Sequence, residues 1–314
     1  MLTAAQIDDI DHAFGVYDHD WRYYAEFLGE PFLLGDCLAY FDGALLYYCA
    51  FPLSDCRKPV GRDQVLRSVE DFPFRRATRG FDIWGRYEDL PPELAMGGAE
   101  PLSLVTQFDE STATDAVIDL ASFSYDTNRE ARLACNAARN KNIAVDILRR
   151  ERLNAEHIML MEAFFPAHEI SPLHASFYLA IPALMKNPNI YLAEARQDGI
   201  LKGYAVLSLI NVEAASMPIG FYVKETGSRA ADAVFAAMIA WGQARTLRRL
   251  HVGYSETDSL RNFKRKWGAA TDGPTYRESR FAADTDLARY MKDGSHPWRE
   301  RIYQSVIAKN RTVA

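Results

Sequence analysis

The chain has 314 residues, of which 48% are hydrophobic and 25% charged, with a net charge of −6 and a pI near 5.7. That is ample material for a sizeable core, and the length fits two domains of roughly 100–200 residues each. The acidic balance speaks against nucleic acid, DNA or tRNA, as a partner unless a local basic patch exists, because a protein held by many phosphate contacts needs a basic face. The start, Met1-Leu2-Thr3-Ala4-Ala5-Gln6-Ile7-Asp8-Asp9, has neither the basic nor the apolar segment of a signal peptide, and no apolar run is long enough for a membrane span. Cys37, Cys49, Cys56 and Cys135 match neither a zinc ribbon nor a C-x-x-C pair, so buried thiols in a reducing, cytoplasmic setting are expected.

Along the chain, the first thirty residues carry Tyr17, Trp21, Tyr23, Tyr24 and Phe27 and predict a helix packed on a first lobe. Leu38–Phe41 and Ala44–Phe51 flank Asp42-Gly43 and predict a hairpin. A helix from about Arg62 to Val69, a strand Phe81–Gly85 and a Pro/Gly-rich loop holding Pro91-Pro92, Gly97-Gly98 and Pro101 follow. Asp126 or Thr127 is placed to cap a helix running to about Asn142, and Ile143–Leu148 reads as a strand. Helices are expected at His157–Phe165, ended by Pro166, and at Pro172–Met185, before a loop at Asn187-Pro188-Asn189.

The second half is the more regular. Ile190–Ala195 and Lys202–Ile210 form strands about the turn Asp198-Gly199, and Met217–Val223 makes a third. Ser228–Arg245 is a long helix, with Ala231, Val234, Phe235, Met238 and Trp241 at helical spacing. Leu250–Tyr254 is a fourth strand, and Leu260–Lys266 a short helix ending at Trp267-Gly268. Strands interleaved with helices put the chain in the α/β (α+β) class. The first half runs through a similar order: a hairpin with an Asp-Gly turn, a helix beginning at Arg62, and a strand ending in Gly85. This suggests a tandem duplication.

Three stretches resemble the Fem-type aminoacyltransferases, which share the Gcn5-related N-acetyltransferase (GNAT) fold. They are Asn128-Arg129-Glu130-Ala131-Arg132-Leu133 running on to Ile143-Ala144-Val145; Tyr191–Ala195 with Asp198-Gly199 and Gly203-Tyr204-Ala205-Val206; and Leu250–Tyr254 with Leu260-Arg261-Asn262-Phe263-Lys264-Arg265-Lys266-Trp267-Gly268-Ala269. Together they span residues 125–270. The resemblance implies tandem GNAT-like lobes, each a mixed twisted sheet flanked by helices. A degenerate lobe would occupy residues 1–125 and a Fem-like lobe residues 126–314. It implies a transferase that moves an aminoacyl or acyl group from an activated donor to a small-molecule amine, forming an amide. The donor would be aminoacyl-tRNA, with charged tRNA as a partner, or an acyl-CoA thioester, with no permanently bound cofactor. An acyl-CoA-dependent N-acetyltransferase and a catalytically inactive binding module are the alternatives.

In this fold the donor's phosphates meet a helix N-terminus. Lys224, Gly227, Ser228 and Arg229 hold that place, although Glu225 and the bulk of Arg229 depart from the family's loop. Ser228 is equally placed as a plain helix cap. Arg129, Arg132 and Arg139 share a helix face that either holds donor phosphates or is simply solvated. His251 is the candidate general base, Tyr254 the candidate acid and Glu213 a second candidate base. Strand alternation predicts that only one of His251 and Tyr254 faces the gap, and Glu194 reads as a surface strand residue. His157, His168 and His174 lack the spacing of metal ligands, so no metal is expected.

Overall fold

A computed structural model describes residues 2–95, 101–167, 178, 181–223, 228–255, 257–271 and 275–293. The chain forms two compact units that divide between Asp115 and Ala116. The sequence reading set this division at 125/126 and gave the whole C-terminal stretch to the second lobe. Instead, residues 275–293 belong with the first unit.

Unit 1 opens with α1 (Ala4–His12), a 3₁₀ turn (Tyr17–His19) and α2 (Trp21–Leu28). The strands β1 (Glu30–Leu34), β2 (Cys37–Phe41) and β3 (Leu45–Ala50) follow, then α3 (Arg62–Glu70), β4 (Gly80–Gly85), β5 (Glu93–Leu94) and the first part of β6 (Leu102–Asp119). From the far end of the chain come β13 (Thr275–Ala282) and the last helix, α9 (Thr285–Asp293). The sheet order is β1-β2-β3-β4-β13-β6, with β5 on β6. Among the described strand pairs of this unit, β3 and β4 run parallel and the others antiparallel. Thr3 starts α1 with a capping box to Gln6. The β2–β3 hairpin is set by Asp42, whose Oδ1 accepts from the N–H groups of Ala44 (3.0 Å) and Leu45 (2.8 Å), beside Gly43 at φ +99°. Every residue of β3 is buried, so both faces of the sheet are covered. On the α3 side, Tyr48, Val65, Phe72, Phe81 and Phe281 form the core.

Unit 2 contains the last part of β6, α4 (Arg129–Arg139), β7 (Ile143–Leu148), α5 (Ala155–Ala167) and α6 (Ile181–Leu184). It continues through β8 (Ile190–Gln197), β9 (Ile200–Leu209), β10 (Ala214–Tyr222), α7 (Ala230–Ala244), β11 (Arg249–Tyr254), α8 (Asp258–Lys266) and β12 (Ala269–Ala270). Its sheet order is β6-β11-β10-β9-β8-β7, with β12 on β6. Here β10 and β11 run parallel. Val234, Phe235, Met238 and Trp241 of α7 pack on the sheet with Leu207, Leu250, Val252 and Trp267.

Several local expectations shift. The cap of α4 is Asn128, whose Oδ1 accepts from Ala131 N at 3.0 Å, and neither Asp126 nor Thr127 caps it. Pro166 stands in the last turn of α5 instead of beyond it. Arg229, not Ser228, is the cap residue of α7. Most of the expected Pro172–Met185 helix lies outside the described residues; its described helical part is α6. The turn Asp198-Gly199 has φ values of +50° and +78°, as a two-residue hairpin of this kind requires, but it joins β8 to β9. Asp42-Gly43 directly precedes the parallel strand β3, whose counterpart in unit 2 is β10. The two Asp-Gly turns therefore do not correspond. The repeat rests instead on hairpin, helix and parallel strand, as β2-β3-α3-β4 and β9-β10-α7-β11.

Candidate active site

The two parallel pairs differ in one respect that bears on chemistry. In unit 1, β3 and β4 pair without a break from Leu45↔Gly80 to Ala50↔Gly85. At the end of that ladder, Gly85 has φ +127°, and a Cβ there would lie 2.6 Å from the Ala50 carbonyl oxygen. In unit 2, β10 and β11 pair only at Ala214↔Arg249, Ala215↔Leu250 and Ser216↔His251. Beyond these, β10 continues to Tyr222 and β11 to Tyr254 without partnering each other. The strands part beyond Ser216↔His251.

The parting has local causes. The register of β10 against β9 shifts between Ser216 and Ile219. Such a bulge turns a strand and re-aims its side chains. Before it, Ala215 and Met217 face the α7 core; after it, Phe221 meets Phe164 and Phe165 of α5, while Tyr222 packs on the α7 side. On β11, Gly253 takes φ +72°, a left-handed conformation that glycine adopts without a Cβ penalty.

Lys264 lies at this point. It is 3% exposed, and its Nζ donates to the carbonyl oxygens of Gly253 (2.8 Å) and Tyr254, just past the last β10–β11 pair. Sequence reasoning did not single it out. Its signal was the Phe263-Lys264-Arg265-Lys266-Trp267-Gly268 run, where three neighbouring cations hide which one turns inward.

His251 is 1% exposed and belongs to a row of register partners, Ser208–Ser216–His251, across β9, β10 and β11. Leu250 and Val252 face the α7 core, so this row faces the side of the sheet that α5 covers. His251 thus sits where the strands begin to part. Tyr254, half-buried, ends β11 after Gly253, and the positive φ of that glycine interrupts the strict alternation on which the choice between His251 and Tyr254 rested. Glu213 precedes β10 at the opposite, closed end, 3.7 Å from Arg248 Nη1. Nine residues of strand, about 30 Å, separate it from Tyr222. Ser228 is half-buried and Arg229 exposed at the start of α7, whereas Lys224 and Gly227 lie outside the described residues, as do His168 and His174. Arg129, Arg132 and Arg139 are exposed on α4, whose Ala131, Ala134 and Ala138 are buried. Among the described residues none of these three arginines forms an ion pair, and no group of His, Cys, Asp and Glu is disposed to hold a metal.

Glu194 departs from its expected surface role. It is 2% exposed and meets Arg150, Arg196 (3.1 Å) and the His157 ring nitrogen (3.2 Å). Burial alone would raise its pKa, but the His157 and Arg150 contacts outweigh burial and hold it at about 2.

These features define tandem GNAT-like lobes, each a mixed sheet flanked by helices, of which one has parted strands. The same fold is found in FemX (TM-score 0.54, 10% identity, 93% of this chain and 98% of that one). It is found as well in L-PGS from Bacillus licheniformis (0.52, 12%, 94% and 98%). A third example is the C-terminal DUF2156 domain of an Agrobacterium fabrum protein named as a lysylphosphatidylglycerol synthetase (0.53, 12%, 91% and 96%). At the level of fold, the resemblance to the Fem-type, tandem-GNAT superfamily is borne out. No protein-family profile matches the chain, and no curated protein does.

Proposed function

We propose that unit 2 transfers an aminoacyl or acyl group from an activated donor to an amine, forming an amide. The observation that carries this reading is the parting of β10 and β11 with the Lys264 ammonium at its root. In the reaction the amine nitrogen adds to the acyl carbon, the carbonyl oxygen gains negative charge, and the C–O bond of an ester or the C–S bond of a thioester breaks. The amine's proton ends on the departing oxygen or sulfur. A cation fixed in a desolvated position stabilises the developing oxyanion without reorganising. Lys264 has that placement, since two carbonyls hold it in position. His251, buried at the same root, takes the proton from the amine, and Tyr254 at the end of β11 is placed to return it to the leaving group. The exposed arginines of α4 favour a phosphate-rich donor such as aminoacyl-tRNA over a small thioester. The likeness to FemX and the synthetase domain supports the same reading.

The test is amide formation, followed by mass spectrometry, with charged tRNA or acyl-CoA as donor and a panel of primary amines. Lys264→Met should lose roughly a hundredfold or more in rate, as loss of an oxyanion-stabilising group does. His251→Ala should lose at least about tenfold. A folded Lys264→Met protein that keeps the parental rate would remove the assignment. Absence of transfer from every donor, with ligand binding retained, would leave a binding module.

A further inference from the structure

Helix α7, from Ala230, is the element that follows β10, which ends at Tyr222, in the chain. Its first N–H groups lack intrahelical acceptors and its dipole is positive there, so the position attracts an anion. The cap residue Arg229 makes no side-chain capping bond. In the first turn, Asp232 is 4% exposed and is paired on both oxygens, with Lys266 Nζ on Oδ1 and Arg229 Nη1 3.1 Å from Oδ2. Lys266 is held in turn over the rings of Phe263 (4.4 Å) and Trp267 (5.8 Å). The Tyr222 ring lies across two glycines: a Cβ on Gly220 would be 2.5 Å from its hydroxyl, and one on Gly203 2.5 Å from the ring edge. Burial and the charge of Asp232 push the Tyr222 phenol up, so it keeps its proton beside that carboxylate.

We propose that Asp232 is an internal anion that occupies the phosphate-attracting start of α7 and so determines donor choice, excluding donors anchored there through a pyrophosphate. Lys266 and Arg229 are already committed to Asp232, and an incoming phosphate would meet a like charge in a site shielded from water. In unit 1 a carboxylate also stands at the start of a helix, though bound differently: Glu88 Oε2 accepts from Arg62 N of α3 at 2.9 Å. Each helix that follows a parallel strand thus carries a carboxylate from its own chain at its N-terminus.

This inference rests on reading the parted strands as the donor site, but its test reads binding and not turnover, so the two can fail separately. Calorimetric titration of the full chain with coenzyme A, and with inorganic pyrophosphate, should show no saturable binding to the parent protein at micromolar concentrations. Asp232→Asn leaves Lys266, Arg229 and the helix N–H groups for a ligand, and should bind both at least roughly tenfold more tightly. Should that variant not fold, the neutral pair Asp232→Asn with Lys266→Gln avoids an uncompensated buried charge and should show a gain of the same sign. Micromolar coenzyme A binding by the parent, or no gain in a folded variant, would overturn the proposal.

Discussion

A buried ammonium costs several kcal/mol in desolvation unless it is given partners. Lys264 donates to the carbonyls of Gly253 and Tyr254. An Arg at this position would bring a planar fork in place of a compact charge, and Lys264→Arg is not a conservative change. Glu194 illustrates the opposite balance, a carboxylate whose partners more than offset its burial. Its folded pKa of about 2 lies below the ordinary 4.5. The stability it adds is therefore fully present above the ordinary value and is lost as pH falls toward the folded one. The shift corresponds to roughly 3 kcal/mol. In urea unfolding across about pH 2 to 5, the parent should lose that much relative to neutral pH, and Glu194→Gln should show a correspondingly flatter profile. Identical profiles would mean that Glu194 is not the titrating group. The sequence reading took Glu194 for a surface residue because it is charged, although it shares its strand face with Ile190 and Leu192, both buried.

Among the elements, α4 is the case where the sequence pattern and the three-dimensional arrangement agree most directly. Arg129, Arg132 and Arg139 recur at helical spacing opposite Ala131, Ala134 and Ala138, and the small residues let the helix lie close to the core. Helical periodicity is a local property, so the exposed basic face could be read in advance. Its role in donor binding is testable. The double change Arg132→Glu with Arg139→Glu should alter stability by less than about 0.5 kcal/mol per site, because both positions are exposed. It should weaken binding of charged tRNA and reduce the salt slope by about one unit for each lost phosphate contact. Parental affinity and slope would leave α4 a solvated face. The ends of elements were less legible. Caps moved by one or two residues, from Asp126 or Thr127 to Asn128 and from Ser228 to Arg229, because several polar residues compete for one position and main-chain angles decide between them.

At the scale of the whole molecule, the duplication gives two β-α-β frames with different fates. The continuous β3–β4 ladder leaves no gap in unit 1, and the parted pair makes unit 2 the candidate transferase. A cavity made in unit 1 should therefore affect stability alone. Val65→Ala, at a fully buried position of α3, should cost about 2 kcal/mol and lower the melting temperature. It should leave the transfer rate per folded molecule unchanged, whereas Lys264→Met should abolish transfer while the protein stays folded. A loss of rate in folded Val65→Ala protein would show that unit 1 takes part in the chemistry.

By itself the sequence determined the class, the order of elements in the second half, the hairpins and the amphipathic helices, because each follows from neighbours a few residues apart. The turn at Asp198-Gly199, the apolar stripe of α7 and the strand β11 all belong to this set. Only the tertiary structure decided that β13 and α9 return to the first unit, that β10 and β11 part after Ser216↔His251, and that Lys264 and Asp232 turn inward among otherwise similar charged residues. These depend on strand register and on which charge finds a desolvated partner. Such contacts join residues far apart in the chain, and no local period or propensity records them.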